Sequence, residues 1–178
     1  MKEFNFEQFK SKLKKSTEKV FLQLKEKHKD ICAFGLYSDE SAMSISISYN
    51  TKNHLQEIQD EDPDEKVYYR WSPGEWFRES YLTGEFEELS EQLEPHTEER
   101  FSTEEEFLEF RRNLFDTAVE VLLELKNERL FKESDESFIL LFSVSEYENI
   151  EKEIEWVKQL NAEKPAKEFE EWLIEDSK

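Results

Sequence analysis

The sequence has few of the residues that build disulfides, phosphate loops and metal sites. Its single cysteine, Cys32, cannot form a disulfide within the chain, and its place in an apolar segment indicates an inert core residue. The three glycines, Gly35, Gly74 and Gly84, lie too far apart to form a phosphate-cradling loop or a dinucleotide-binding motif. The three histidines lack metal-ligand spacing, and no G-x-S-x-G motif is present. The commonest enzyme motifs are therefore excluded, and we expect neither a cofactor nor a metal.

Long apolar runs are missing as well. No stretch approaches the roughly 20 apolar residues that are needed to span a membrane. The N-terminal segment is amphipathic and rich in lysine, without the apolar centre of a signal peptide. We therefore expect a cytoplasmic protein with no membrane segment.

Basic residues are scarce relative to acidic ones, and they are unevenly distributed. The chain has 24 lysines and arginines against 44 acidic residues, a net charge of −20. Residues 1–30 hold nine lysines and five acidic residues, whereas residues 85–106 hold ten glutamates and one arginine. A negative field of this size repels nucleic acid and anionic lipid, and it favours a basic protein partner. The alternative is that the charge only keeps the protein soluble.

Aromatic residues, by contrast, are abundant. Fifteen Phe, six Tyr and four Trp make up 14% of the 178 residues. Disordered chains are poor in aromatic residues, because each of them would bury a large apolar area on folding. A chain of this length typically forms one domain whose core needs no disulfide or metal. We therefore expect residues 1–178 to form a single folded domain.

Apolar residues recur at helical spacing in several segments. Helices are predicted from this spacing over residues 4–29, 51–59, 86–93, 102–128 and 147–157, with a final segment around 169–173. The longest of them opens with a capping box from Ser102 to Glu105.

Three segments are predicted to be strands. Ile31–Ser38 and Met43–Asn50 form a hairpin, in which the serines of the second strand face outward or toward a cleft. Phe138–Val144 is the most apolar run and predicts a central strand. Glycine turns are few, and strands and helices do not alternate regularly. The predicted class is therefore α+β, with a small, mainly antiparallel sheet covered by several helices.

The stretch Val67–Tyr81 is rich in aromatic residues and is the most specific part of the chain. Tyr68–Trp71 predicts a short strand with Tyr69 and Trp71 on the same face. Ser72–Glu75 has the form of a capping box with proline at the first helical position. A helix is therefore expected to begin there.

Arg70 lies among these aromatic side chains. A cation and a carboxylate beside aromatic rings are typical of a site for an anion, a carboxylate or a partner side chain. The alternative is a structural Arg70 paired with an acidic residue. No catalytic residue is assigned, since so many carboxylates make any chosen pair uninformative. The candidate binding residues are Tyr37, Asp39, Tyr69, Arg70, Trp71, Glu75 and Trp76, of which all but Trp76 would share one cleft.

Asp60, Asp62 and Asp64 have the spacing of the first ligands of a calcium loop. However, the position that requires glycine holds Glu65, and the position of the bidentate glutamate holds Trp71. We therefore expect a solvated loop rather than a tight metal site.

Four segments together resemble a known family. They are Ala33–Asp39, Tyr68–Trp76, FILLFSV at 138–144 and QLNAEKPAKEFEEW at 159–172. The family they resemble is the uncharacterised domain of unknown function 4303, and the resemblance covers nearly the whole chain. Its most specific part is Y-Y-R-W-S-P-x-E-W, in which Gly74 departs from the alanine that family members often carry. The resemblance implies a single α+β domain, mainly bacterial, with no established activity and no catalytic residues to transfer.

Two functional hypotheses follow. The first is a non-catalytic interaction protein that binds a basic partner through residues 85–106 and the aromatic stretch. Similarity in size and style to the antidote (immunity) proteins of bacterial toxin systems makes a toxin domain one such partner. The second is an enzyme or small-ligand-binding protein with a cleft around residues 68–76. The sequence does not indicate an oligomeric state.

Overall fold

The computed structural model describes residues 4–81, 83–131 and 137–176. Its α-helices among these residues are α1 (Phe6–Lys27), α2 (Lys52–Glu61), α3 (Lys66–Trp71), α4 (Gly84–Leu93), α5 (Glu104–Asn127), α6 (Ile150–Leu160) and α7 (Glu163–Asp176). Its strands are β1 (Ile31–Ser38), β2 (Ile45–Thr51), β3 (Arg78–Tyr81) and β4 (Ile139–Val144). Among the described residues, no helix combines the length and the apolar composition needed to cross a bilayer.

The four strands form one mixed sheet in the order β3-β2-β1-β4. β1 and β2 are antiparallel and pair Leu36 with Ile47, and β2 and β3 are also antiparallel. β1 and β4 are parallel, with Gly35 opposite Leu141. The predicted α+β class is confirmed, and the sheet is mainly antiparallel as predicted.

Helices cover both faces of the sheet. Alternate strand residues such as Phe34, Ile47 and Phe142 pack in a main core that includes the buried faces of α1, α4 and α5. Residues on the other face, among them Ala33 and Ile139, join a smaller second core with α3, α6 and α7. Because β1 and β4 are buried on both faces, they are apolar over most of their length rather than alternating.

Most of the predicted helices and the first hairpin are confirmed. α1, α2, α4, α5 and α6 lie within a few residues of their predicted bounds, and α7 covers the final segment, for which no helix was predicted. The capping residue of α5 is Thr103, one position later than predicted. Its side chain accepts from the Glu106 amide at 3.2 Å, while the Glu106 carboxylate accepts from the Ser102 amide at 3.0 Å.

The prediction of a strand at Tyr68–Trp71 is wrong, because this segment lies in helix α3. Its aromatic residues favour a strand by local propensity, but helical spacing puts Val67 and Trp71 on the same side. Both pack in the second core, where the Trp71 ring lies 5.0 Å from Phe169. Tertiary packing therefore overrides the local preference.

The helix predicted to begin at Ser72 is also wrong. Pro73–Glu75 forms only one 3-10 turn, and the Ser72 side chain makes no capping hydrogen bond. The chain becomes extended at Trp76, whose side chain is buried in the second core, and then forms β3. Burial of Trp76 ends the turn before a helix can propagate.

β4 lies at an edge of the sheet rather than at its centre, which corrects the prediction for 138–144. The side chain of Asn161, which follows α6, closes this edge. Its Oδ1 accepts from the Leu140 amide at 2.9 Å, and its Nδ2 donates to the Leu140 carbonyl at 2.7 Å. This clamp satisfies edge groups that would otherwise pair with another strand.

The serines of β2 do not face solvent. Ser46 and Ser48 are buried with 4% and 1% of their surface exposed. The Ser48 hydroxyl accepts from the Ser80 amide of β3 at 3.3 Å. The alternation of β2 therefore separates an apolar buried face from a polar buried face, rather than a core from solvent.

Candidate functional site

The aromatic stretch is anchored to α7 through one carboxylate. The Trp71 indole Nε1 donates to Glu168 Oε1 at 2.9 Å. The Arg70 guanidinium lies 3.2 Å from the same carboxylate and also donates to the Ser137 carbonyl at 3.2 Å. The Arg70 and Glu168 side chains remain 25% and 32% exposed. Arg70 is therefore paired with an acidic residue, as the alternative to a binding role expected. Its side chain nevertheless remains partly exposed to solvent.

The other candidate residues of the stretch are mostly structural as well. The buried Trp76 donates from Nε1 to the Arg70 carbonyl at 3.2 Å. The Tyr68 hydroxyl donates to Glu75 Oε1 at 3.0 Å. Tyr69 is half-buried beside the Tyr68 ring, and burial raises the pKa of its phenol. Trp71, Glu75 and Trp76 are thereby fixed in place around the turn.

Tyr37 and Asp39 do not share a cleft with Arg70. They lie at the end of β1, whereas the cavity beside Arg70 is lined by Ala33 near its start. The spacing of strand residues puts Ala33 and Asp39 about 20 Å apart. Asp39 instead organises the hairpin turn, since its carboxylate accepts from the Met43 amide at 3.2 Å and from the Ser44 hydroxyl. The structure therefore separates two of the seven candidates from the other five.

A cavity of about 330 Å³ lies between α2, α3 and the start of β1 and β4. We call it the Asn50 cavity. None of the described residues that line it is acidic, although the chain as a whole is strongly so. Its lining includes two basic residues, Lys52 and Arg70, beside the polar Asn50 and Gln56 and the less polar Cys32 and Ile139.

Cys32 contributes a neutral thiol to this cavity. It is a free cysteine with 8% of its surface exposed. Burial raises the pKa of its thiol to about 11, so almost no thiolate is present at neutral pH. The expectation that Cys32 is buried is confirmed.

Two polar residues of this region were missed from the sequence. Asn50 of β2 is 0% exposed and accepts from the Phe77 amide, just after the 72–75 turn, and Glu168 binds Arg70 and Trp71. Glu168 is one of 44 acidic residues, so its role has no distinguishing pattern. Asn50 follows the alternating serines of β2, and no role was predicted for it.

The Asp60–Asp64 segment is structured rather than a solvated loop, which corrects that expectation. α2 extends to Glu61, and a 3-10 turn covers Pro63–Glu65. Asp60 accepts from the Gln56 side chain at 2.7 Å. Across the described ranges, no group of three or more His, Cys, Asp or Glu residues is arranged to hold a metal.

Residues 85–106, which we call the acidic segment, form α4, two 3-10 turns and the start of α5. Glu85 is half-buried and binds Lys19 of α1, which lowers the pKa of its carboxyl. The remaining nine glutamates are exposed, and none of them forms an ion pair with another described residue. They are Glu87, Glu88, Glu91, Glu94, Glu98, Glu99, Glu104, Glu105 and Glu106.

Comparison with known proteins gives a family but no activity. No curated protein and no solved structure matches the chain. One family profile, described as domain of unknown function (DUF4303), matches residues 13–162, which include the whole sheet, the Asn50 cavity's strands and the acidic segment. That match spans most of the chain and agrees with the resemblance noted in the sequence. The chain therefore belongs to the DUF4303 family.

Proposed function

We propose that this chain is a non-catalytic, cytoplasmic interaction protein whose acidic segment binds a basic protein partner. The partner class put forward is a basic bacterial toxin domain, with this chain as its antidote. The observation that carries the proposal is the set of nine exposed glutamates that have no ion-pair partner among the described residues. Unneutralised charge of one sign accelerates association with a partner of opposite charge.

Two lysines of α1 support this view, because they form their ion pairs outside the acidic segment. Lys10 and Lys14 both bind Glu124 of α5, at 2.8 and 2.9 Å. These contacts raise the pKa of both lysines and lower that of Glu124. The basic helix thus neutralises the second half of α5, while the start of α5 and most of α4 keep their negative charge.

An exposed apolar side chain lies within the same region. Leu108 is 41% exposed and stands one helical turn after Glu104 and Glu105 on α5. Protein interfaces typically surround apolar contacts with a polar or charged rim. Leu108 with its neighbouring glutamates has this composition.

Affinity capture from the host that encodes the chain tests the proposal. The tagged protein would be used as bait at about 50 mM and about 200 mM salt, since salt in this range screens exposed charges progressively. We expect capture of a protein with a basic isoelectric point at the lower salt, and much less of it at the higher salt. Partners that are neutral or acidic, or capture that is insensitive to salt, would contradict the proposal.

A matched pair of variants locates the contact. Leu108→Ser is expected to reduce capture, because Leu108 lies beside the acidic segment. Leu22→Ser is the control, because Leu22 is 48% exposed but lies on α1. Equal capture by both variants and the wild type would show that Leu108 does not contact the partner.

A further inference from the structure

The part of the acidic segment between α4 and α5 has little backbone support. Residues 94–100, which we call the double turn, form two 3-10 turns separated by Thr97, and neither turn has a side-chain capping bond. The second turn is closed by the Arg100 amide, which donates to the Thr97 carbonyl at 2.8 Å. Such short turns have poor hydrogen-bond geometry. The double turn therefore depends on side-chain packing for its position.

Two aromatic rings anchor the double turn to α5. The His96 ring stacks on Phe110, with 5.2 Å between the ring centroids and an angle of 11° between the planes. It also meets the Phe4 ring edge-on at 4.9 Å. Phe101, which follows the double turn, lies 5.3 Å from the same Phe110 ring. Of these two anchors only His96 can change its charge near neutral pH.

The His96 imidazole is anchored without polar contacts. Both of its ring nitrogens are buried, and neither has a hydrogen-bond partner in the described part of the chain. Protonation would convert the ring into a cation with a second unpaired N–H. Burying an unpaired charge is far less favourable than burying a neutral polar group. The anchored position therefore strongly favours the neutral ring.

The groups that face the His96 ring are apolar or uncharged. Phe4 faces it from the segment before α1, and Phe110 faces it from α5. Burial lowers the pKa of His96 below its ordinary value of 6.5, and the backbone carbonyls of Gln92 and Leu93 offset only part of this effect. Among the described residues, no charged side chain contributes to the shift. The charged residues of the double turn are all exposed, and they are Glu94, Glu98, Glu99 and Arg100.

We propose that His96 is a pH-sensitive anchor: its protonation releases the ring from Phe4 and Phe110, and the double turn then separates from α5. The anchor is complete above pH 6.5 and is lost as the pH falls from 6.5 through the lowered pKa. Under the proposed function, on which this consequence rests, release weakens binding of the basic partner. The reason is that three glutamates of the acidic segment lose their fixed positions.

An NMR titration of the isolated chain between about pH 7.5 and pH 5 tests the anchor. It follows the His96 ring signals, the contact between the His96 and Phe110 rings, and the amide signals of Arg100 and Phe101. We expect the ring and both amides to change in one transition with a midpoint below pH 6.5, in which the ring contact disappears. Constant amide signals during protonation of His96, or a ring contact that persists after it, would overturn the proposal. So would a ring that stays neutral down to pH 5.

His96→Phe separates protonation of His96 from the titration of carboxylates. It keeps an aromatic ring on Phe110 and removes the ionisable group, so the Arg100 and Phe101 amide signals should lose the transition. His28→Phe is the matched control, because His28 also contacts aromatic rings but has the Tyr49 hydroxyl 3.4 Å from its Nε2. It should keep the transition of the wild type. The same pH response in His96→Phe and the wild type would contradict the anchor.

The anchor and the proposed function fail in different experiments. The titration needs no partner, so the absence of a transition in the wild type overturns the anchor even if a basic protein is captured. Failure to capture a basic protein contradicts the proposed function alone. For a captured basic protein, we expect several-fold less binding at about pH 5.5 than at about pH 7.5 at constant salt, and a much smaller difference with His96→Phe. An equal loss with both proteins would contradict regulation through His96.

Discussion

The indole Nε1 of Trp71 donates to Oε1 of Glu168 at 2.9 Å, and this bond ties α3 to α7. Trp71 is 1% exposed, and Glu168 is the acceptor of its N–H. Removing the Glu168 carboxylate should therefore lower the free energy of unfolding by more than a surface ion pair contributes.

Glu168→Ala is accordingly expected to lower the free energy of unfolding by about 2–4 kcal/mol, since it strands the Trp71 N–H and unpairs Arg70. Glu168→Gln keeps an oxygen acceptor and should cost about half as much. Glu171→Ala is the control, because Glu171 lies on the exposed side of α7. Denaturant melts that rank the Glu168→Ala and Glu171→Ala variants equally would contradict the role of Glu168.

The two apparent capping boxes are expected to respond differently to alanine. Thr103→Ala removes a real capping bond to the Glu106 amide and should cost about 0.5–2 kcal/mol. Ser72→Ala should cost less than about 0.5 kcal/mol, because the Ser72 side chain makes no such bond. Thermal melts of the two variants beside the wild type make the comparison. A larger loss of stability in Ser72→Ala than in Thr103→Ala would indicate that the Ser72 side chain does make a capping bond.

Gly35 is required by the close approach of β1 and β4. A Cβ at Gly35 would lie 2.5 Å from the Leu141 carbonyl oxygen, which is backbone and cannot move aside. Gly35→Ala is therefore expected to cost more than about 3 kcal/mol or to prevent folding. At Gly74 the nearest atom to a Cβ would be the end of the Glu79 side chain at 3.8 Å.

Gly74→Ala is the matched control for this experiment. It should be neutral or stabilise by about 0.4–1 kcal/mol, since alanine restricts the unfolded chain. Urea denaturation followed by circular dichroism separates the two variants. Similar stabilities for Gly35→Ala and Gly74→Ala would show that the β1–β4 contact is looser than described.

Glu153 of α6 is predicted to make stability depend on pH. Burial raises the pKa of its carboxyl from 4.5 to about 7. The folded state therefore holds this proton more tightly, and the stability that Glu153 contributes is lost as the pH rises from 4.5 through 7. Glu153→Gln should match the wild type near pH 4 and be more stable near pH 8, by up to about 3 kcal/mol.

Glu151→Gln is the control for Glu153, because it removes an exposed charge from the same first turn of α6. Unfolding free energies of the three proteins would be measured between pH 4 and pH 8. A constant difference between Glu153→Gln and the wild type across this range would mean that folding does not raise the pKa of Glu153.

Sequence patterns predicted the long periodic helices and the apolar strands, and they failed where tertiary packing decides. The periodicity of residues 102–128 is long enough to specify α5, and its stripe from Phe107 to Leu125 is buried as expected. At residues 68–76 the segments are only a few residues long, so local propensity is weak. The second core instead fixes them by burying Trp71 and Trp76.

The candidate site was predicted only in part for a related reason. Arg70 stands out as a cation within an aromatic stretch, whereas Asn50 becomes notable only when its amide bonds and the neighbouring cavity are known. Tyr37 and Asp39 were grouped with Arg70 because sequence gives no distance between the two ends of β1. Which end of a strand faces which helix is a property of the topology.

The affinity of the captured basic partner for charge-neutralised variants tests the proposed function most directly. One variant replaces Glu87, Glu91 and Glu94 of the acidic segment with glutamine. The control replaces Glu151, Glu163 and Glu175, which are exposed on α6 and α7, and makes the same change in net charge. We predict that titration calorimetry at low salt will show binding at least about tenfold weaker for the first variant and nearly unchanged for the control. Equal affinities of the two variants would contradict a role for the acidic segment in binding.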